Sequence, residues 1–411
     1  MAVTVRTRGL VLTEHEFDVP LDHAAPDGER ITVFAREVSD PDGTDRPFLL
    51  FLQGGPGQEA PRPTRHPSSP GWLDRALADF RVLMLDQRGT GRSTPVGALP
   101  GRSPTEQAAY LTHFRADAIV RDAEHVRRAL GLERWSILGQ SFGGFCATTY
   151  LSLAPEGLRE ALITGGLPPL GTPADEVYRG TYARMRERNR RHYERYPQDR
   201  ERVRALVDRL ETEPLALPSG DRLTPRRLRQ LGQALGMSDG SERLHYVLEL
   251  DPASPAFAHD VEAATAFARN PIYAIVHEAC YADGGATRWA AERAMPDAFR
   301  ASPELLTGEH IFPWMFEDYG ALRPLREASE ILAAHDWPRL YDPDCLAKNI
   351  VPVAAAIYTD DPYVLREYSE ATAAHIRGLR SWVTSEYDHN GLRADGDRIL
   401  SRLLDLARGR A

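Results

Sequence analysis

Cysteine is scarce in this chain of 411 residues: Cys146, Cys280 and Cys345 stand far apart and are odd in number. That spacing excludes a disulfide framework and a cysteine-ligated metal site, and it points to the cytoplasm. Positive charge is in deficit, with 50 Lys and Arg against 59 Asp and Glu and a net charge of −9. Nucleic acid and anionic membrane are therefore not expected partners. No apolar run approaches the roughly 20 residues needed to cross a bilayer. The start carries Arg6 and Arg8 but no apolar stretch of a secretory signal. What remains is ordinary globular composition, 42% hydrophobic and 27% charged. It leaves room for one large domain with an insertion, or for two or three domains.

The chain is organised around Gly139-Gln140-Ser141-Phe142-Gly143-Gly144, between the apolar run Trp135-Ser136-Ile137-Leu138 and the stretch Phe145 to Leu151. Strand, sharp turn and helix in that order make a G-x-S-x-G nucleophile elbow. Such a turn has no space for side chains beside the nucleophile, so glycine flanks Ser141. The strained backbone exposes the hydroxyl above the C-terminal edge of a sheet. The following helix aims its N-terminal N–H groups and dipole at the same place.

The rest of the chain supplies that sheet. Residues 9–38 alternate apolar and polar side chains around a turn-rich stretch, 22–28, and read as an antiparallel hairpin at one sheet edge. Pro47-Phe48-Leu49-Leu50-Phe51-Leu52 and Phe80-Arg81-Val82-Leu83-Met84-Leu85 are short apolar runs expected of strands buried on both faces. A helix with Ile119, Val120, Ala123, Val126 and Leu130 on one face stops at Gly131. After the elbow come a strand at 161–166 and then a Pro/Gly-rich break. Up to about Leu346 the strand–helix rhythm disappears and the segment reads as helical. It includes an arginine-dense stretch, 178–204, whose interleaved acids make it a solvated helix face rather than an RNA-binding surface. Strands return at 351–358 and 380–384, with a helix over 364–379 between them. An amphipathic helix bearing Ile399, Leu400, Leu403, Leu404 and Ala407 closes the chain. The expected architecture is one doubly wound α/β core with a mostly parallel sheet, residues 1–170 and 347–411, and an inserted helical cap, 171–346.

A serine at an elbow needs a base, and the base needs an orienting acid. In chain order these follow as acid and then histidine, on loops at the C-terminal ends of later strands. His389, in Ser385-Glu386-Tyr387-Asp388-His389-Asn390-Gly391, is the one histidine of 13 placed after a late core strand. The acid is Asp361 or Asp360, both after the strand ending at Tyr358. Asp361 is preferred because Pro362-Tyr363-Val364 anchors the turn behind it. The oxyanion hole needs two backbone N–H groups. One comes from Phe142 and the other from Gly55, because Pro56 has none to give.

Three motifs carry a resemblance: Gln53-Gly54-Gly55-Pro56-Gly57, Asp86-Gln87-Arg88-Gly89-Thr90-Gly91-Arg92-Ser93, and the elbow itself. Together they resemble the proline iminopeptidases (prolyl aminopeptidases) of the α/β-hydrolase fold, over nearly the whole chain. The cap-plus-core layout and the tail from Trp382 to His389 look like the longer bacterial members. Gln53 departs from the pattern, since many relatives carry histidine there. The resemblance implies release of an N-terminal residue, typically proline, from a small peptide with a free N-terminus, without metal or cofactor. Asp86, Arg88 and Arg92 are expected to form a buried hydrogen-bonded knot beneath the elbow rather than an anion site. Recognition of a free ammonium calls for a carboxylate in an apolar pocket. Glu278 and Glu309 qualify, each beside an aromatic cluster in the cap, and the pair is expected to face Ser141 across the cleft. Relatives likewise use cap glutamates for the amine. Another serine hydrolase (an esterase, lactonase or amidase acting on a natural product) fits the same scaffold, because fold does not set substrate. A non-catalytic binding protein fits less well with Ser141, Asp361 and His389 all present. Ser141 excludes a dehalogenase or epoxide hydrolase, which needs a carboxylate at the elbow.

Overall fold

The computed structural model describes residues 3–411, so the first two residues of the expected core lie outside the described range. Its centre is a nine-stranded sheet. The strands are β1 (Val3–Thr7), β2 (Leu10–Pro20), β3 (Arg30–Ser39), β4 (Phe48–Leu52), β5 (Arg81–Leu85), β6 (Trp135–Gln140), β7 (Leu158–Thr164), β8 (Val353–Tyr358) and β9 (Leu379–Thr384). Their spatial order is β1-β2-β3-β5-β4-β6-β7-β8-β9. β1, β2 and β3 run antiparallel and β3 meets β5 antiparallel. From β5 to β9 every neighbouring pair is parallel.

The apolar runs are explained by burial on both faces. In β4 all five residues are buried. Phe48, Leu50 and Leu52 join one apolar cluster, while Leu49 and Phe51 join the other. That is the period-2 alternation of a strand with a layer on each side. The first layer is α2 (Ala116–Ala129) and α3 (Phe142–Leu153). The second is α1 (Leu73–Asp79), which the sequence reading did not identify, and the closing helix α6 (Gly396–Ala407). Ile399, Leu400, Leu403 and Leu404 of α6 are fully buried, each stabilising the fold by roughly 1.5–3 kcal/mol. The helix between β8 and β9 is α5 (Arg366–His375).

One expectation is corrected. The hairpin of β2 and β3 forms, pairing Val11 with Ser39 through Pro20 with Arg30, but it is not the sheet edge. β1 pairs outside it, Val3 opposite Glu14. All five residues of β1 are exposed, so no alternating burial marks it in the sequence.

Between β7 and β8 the chain leaves the sheet. The excursion begins with the long helix α4 (Ala174–Arg195) and continues through the 16-residue helix Pro197–Thr212, shorter helices and one two-residue strand pair, Leu215–Ala216 with Arg222–Leu223. Tyr178, Tyr182, Met185, Leu231, Ile272 and Phe312 from this segment belong to the same apolar cluster as α2 and α3. The insertion therefore shares a core with one face of the sheet and closes over its C-terminal edge.

Candidate active site

Ser141 sits at φ 53° and ψ −124° between β6 and α3. A non-glycine residue held there costs about 1–3 kcal/mol and persists only where its surroundings impose it. They do so by close approach. A Cβ on Gly143 would lie 1.9 Å from the Leu52 carbonyl oxygen, and one on Gly139 would lie 2.3 Å from the Gly143 oxygen. The Ser141 N–H donates to Thr164 O at 3.0 Å. The end of β4, the elbow and β7 are thus locked together, which leaves the hydroxyl nowhere to point but upward.

The later loops meet it there. Ser141 Oγ lies 2.9 Å from His389 Nε2, and His389 Nδ1 lies 2.7 Å from Asp361 Oδ2. The other carboxylate oxygen, Oδ1, accepts from the N–H groups of Tyr363 (2.8 Å) and Val364 (3.0 Å). This local turn orients Asp361 before any contact with histidine. With both carboxylate oxygens accepting, Nδ1 carries the proton and Nε2 presents its lone pair to the serine. Burial lowers the His389 pKa, but the charge and hydrogen bond of Asp361, with the charge of Glu309, outweigh it and leave the pKa raised. Asp360 points elsewhere. Its carboxylate is 30% exposed and pairs with Arg191 at 2.7 Å and Arg184 at 3.7 Å. Burial pushes its pKa up, and the Arg191 bond more than reverses that.

Around the elbow, Phe142 opens α3, so its N–H is one of the orphan donors of a helix start. Gly54 lies against Ser141, where an added Cβ would come within 3.0 Å of the serine Cβ. Its N–H is already taken by Gln53 Oε1 at 3.1 Å. Gly55 follows in the left-handed region, φ 129°. Gln53 is itself held through its carbonyl by Gln87 Nε2 at 2.9 Å.

The expected single knot of Asp86, Arg88 and Arg92 is instead two separate networks. Buried Asp86 accepts from Ala60 N–H (3.2 Å), Arg92 N–H (2.9 Å) and the Arg62 guanidinium (2.8 and 2.7 Å). Buried Arg88 pairs with Asp122 and donates to the carbonyls of Pro20, Leu21 and His113. The Arg92 side chain is 43% exposed and pairs with Glu14 and Glu16. Only its backbone joins a network, because a guanidinium on that turn reaches the solvated face of the β2–β3 hairpin.

Rings from the inserted segment and from the core pack together beside α3 and His389. Tyr281 packs edge-on against Phe145 of α3 (6.0 Å) and Tyr178 of α4 (5.5 Å), and Tyr363 packs edge-on against His389 (5.0 Å). Glu278 is buried; its Oε1 accepts from Ala291 N–H at 3.0 Å, and its Oε2 has no partner among the described residues. Burial raises its pKa. Glu309 Oε2 lies 3.8 Å from His277 Nε2. Burial raises the Glu309 pKa, but His277 and then the charge of His389 bring it below its ordinary value. Glu309 is thus within electrostatic reach of the triad, whereas the groups acting most on Glu278 are Thr287, Ala291, Arg293 and His277. His277 approaches Glu309 through Nε2, while its Nδ1 has no partner among the described residues. The sequence alone does not single out His277, although its place beside Glu278 in an apolar stretch was the available signal.

Among the described residues no group of three or more His, Cys, Asp or Glu is arranged to hold a metal ion, and no helix is long and apolar enough to cross a membrane. A family model described as the alpha/beta hydrolase fold matches residues 47–392. A proline iminopeptidase of Aeromonas sobria is 49% identical over 416 residues, covering 97% of each chain. The proline iminopeptidase aneH of Aspergillus aculeatus is 34% identical over 428 residues, covering 97% of this chain and 94% of its own. With such identity sustained along nearly the full length of both proteins, the chain belongs to the α/β-hydrolase family and, within it, to the proline iminopeptidases.

Proposed function

We propose that this protein is a serine aminopeptidase that releases an N-terminal residue, preferentially proline, from small peptides. The proposed division is a core of residues 1–170 and 347–411 with a cap of 171–346, and the site lies between them. Ser141 Oγ attacks the first peptide carbonyl while His389 Nε2 takes its proton. The oxyanion is received by the N–H groups of Phe142 and Gly55. Proton return from His389 releases the shortened peptide, and water then hydrolyses the prolyl ester on Ser141 by the same route. Asp361 holds the imidazole tautomer throughout.

One observation carries the substrate class. Three buried polar atoms lie among the aromatic rings without a partner among the described residues: Glu278 Oε2, His277 Nδ1 and the Tyr178 hydroxyl. Buried polar groups are normally satisfied, and an α-ammonium held between Glu278 and Glu309 satisfies the acid directly. An arriving cation also favours the ionised form of Glu278, which burial alone opposes. The rings of Tyr178, Tyr281 and Phe145 offer an apolar surface for a pyrrolidine. We place the enzyme in the cytoplasm, where its three free thiols stay reduced. The deciding measurement is hydrolysis of a panel of aminoacyl chromogenic amides beside simple aryl esters. Prolyl amides should lead the panel, and acylation of the α-amine should abolish their turnover. Preference for blocked esters would replace this reading with an esterase.

A further inference from the structure

The arginines of α4 are not all solvated. Arg184, Arg188 and Arg191 are spaced i, i+4, i+7 and so share one helix face. That face lies on the two loops that carry the candidate acid and base. Arg191 and Arg184 take the carboxylate of Asp360, at 2.7 and 3.7 Å. Arg188, whose side chain is only 12% exposed, does something different. Its Nε and Nη2 donate to the backbone carbonyl of Asp360 at 3.1 and 2.7 Å, and Nη2 also bonds the carboxylate of Asp388.

Each of these contacts falls one residue before a triad member. The Asp360 carbonyl belongs to the peptide plane whose N–H is that of Asp361, and that N–H donates to Tyr358 O at 3.4 Å. The plane is therefore pinned at both ends, and the direction in which Asp361 leaves it is set. On the other loop, Asp388 is bound directly before His389. The insertion grips the same loop again, through His389 N–H to Gly236 O at 3.1 Å and Ser238 N–H to Asn390 Oδ1 at 2.8 Å. One planar fork thus bridges two strand-end loops that are otherwise joined at their base, by Thr359 N–H to Thr384 O at 2.9 Å, and at the bond between Asp361 and His389.

We propose that Arg188 is a positioning residue for the triad: from the inserted helix, its guanidinium sets the distance between the Asp361 loop and the His389 loop. The proposal rests on reading Ser141, His389 and Asp361 as the triad. It follows that the insertion is part of the acid–base machinery as well as a roof over it. The alignment of Asp361 with His389 holds only while α4 is seated on the core. Arginine is required because its fixed fork presents several donors in one plane; a lysine ammonium reaches one loop at a time.

The test uses the full-length enzyme with Arg188→Met, which keeps the aliphatic stem, and Arg188→Lys. Misplacing a catalytic pair by about 1 Å costs on the order of 10²-fold. Arg188→Met should therefore lower kcat on that scale for a prolyl amide and a simple aryl ester alike, with KM changed by less than about twofold. Labelling of Ser141 by a fluorophosphonate should slow by the same factor. Arg188→Lys should fall between the two, and Asp388→Asn should add little to Arg188→Met in a double-mutant cycle. Labelling and kcat of Arg188→Met within about twofold of the parent overturn the proposal, as does a loss confined to KM. If Arg188→Met fails to fold, Arg188→Lys carries the same readouts, and parent-like kcat there overturns it. Failure of the underlying triad reading shows separately, as labelling that survives Ser141→Ala.

Discussion

His277 Nε2 stands 3.8 Å from the Glu309 carboxylate, both within the inserted segment, and the rings of Tyr273 and Tyr281 flank the imidazole. Burial by itself would push the Glu309 carboxyl toward its neutral form, and the imidazole reverses that. A carboxylate kept ionised in an apolar pocket is what an ammonium ligand requires.

Each charge-assisted hydrogen bond to a substrate ammonium contributes roughly 1.5–3 kcal/mol. Glu309→Gln and Glu278→Gln should each lower kcat/KM for prolyl amides by about ten- to a hundredfold. A neutral aryl ester has no ammonium to lose and should be nearly unaffected. Steady-state kinetics on the two substrates check this; a parallel fall in both would make the glutamates structural.

Ser141→Ala should leave the fold intact and lower kcat by about 10⁶-fold. Circular dichroism checks the first half and single-turnover rates the second. Intact-mass analysis after fluorophosphonate treatment should show one adduct in the parent and none in the variant.

Asp361→Asn should cost on the order of 10⁴ in kcat, because an amide in that position supports the wrong imidazole tautomer. Asp360→Asn should change kcat little, since its carboxylate faces Arg191. If the two variants exchanged their phenotypes, the roles would be reversed.

The pH profile follows from the groups around His389. Asp361 and Glu309 favour its charged form, while burial and Arg393 oppose it, and the net pKa is raised. The base must be neutral to accept the serine proton, so kcat/KM falls as pH drops through this pKa. The acid limb should therefore lie above the ordinary histidine value of about 6.5. Glu309→Gln removes one charge that favours the imidazolium, so its acid limb should move to lower pH. A limb that moves up instead would contradict the placement of Glu309 near His389.

Gly143→Ala would force a Cβ to 1.9 Å from the Leu52 carbonyl oxygen. Neither β4 nor the elbow can yield without shifting Ser141, so both Tm and labelling of Ser141 should drop. Thermal denaturation together with the labelling rate checks this; an unchanged pair would mean that the elbow is softer than its geometry implies.

Much of this was legible before the structure, for reasons that differ by residue. Gly139 and Gly143 announce the elbow because its sterics are local. The buried strands were readable because layers on both faces leave unbroken apolar runs such as 48–52. β1 was not readable, since an exposed edge strand has no burial pattern to leave. Nor was the Ser103/Glu106 capping box singled out, although Ser103 N–H donates to Glu106 Oε2 at 2.7 Å at the start of the helix Pro104–Leu111.

By itself, the sequence determined the strand–turn–helix at Ser141, the order of the buried strands along the chain, and the loops on which an acid and a histidine stand. These depend on backbone sterics and on periodic burial, which operate over a few neighbouring residues. Only the tertiary structure decided which of Asp360 and Asp361 meets His389, that Arg92 leaves the buried network, and that His277 meets Glu309. It alone set Arg188 against Asp360 and Asp388. Those contacts join residues up to 200 positions apart. A side chain's partner across such a distance is set by how α4 packs on the sheet edge, and no local pattern encodes that.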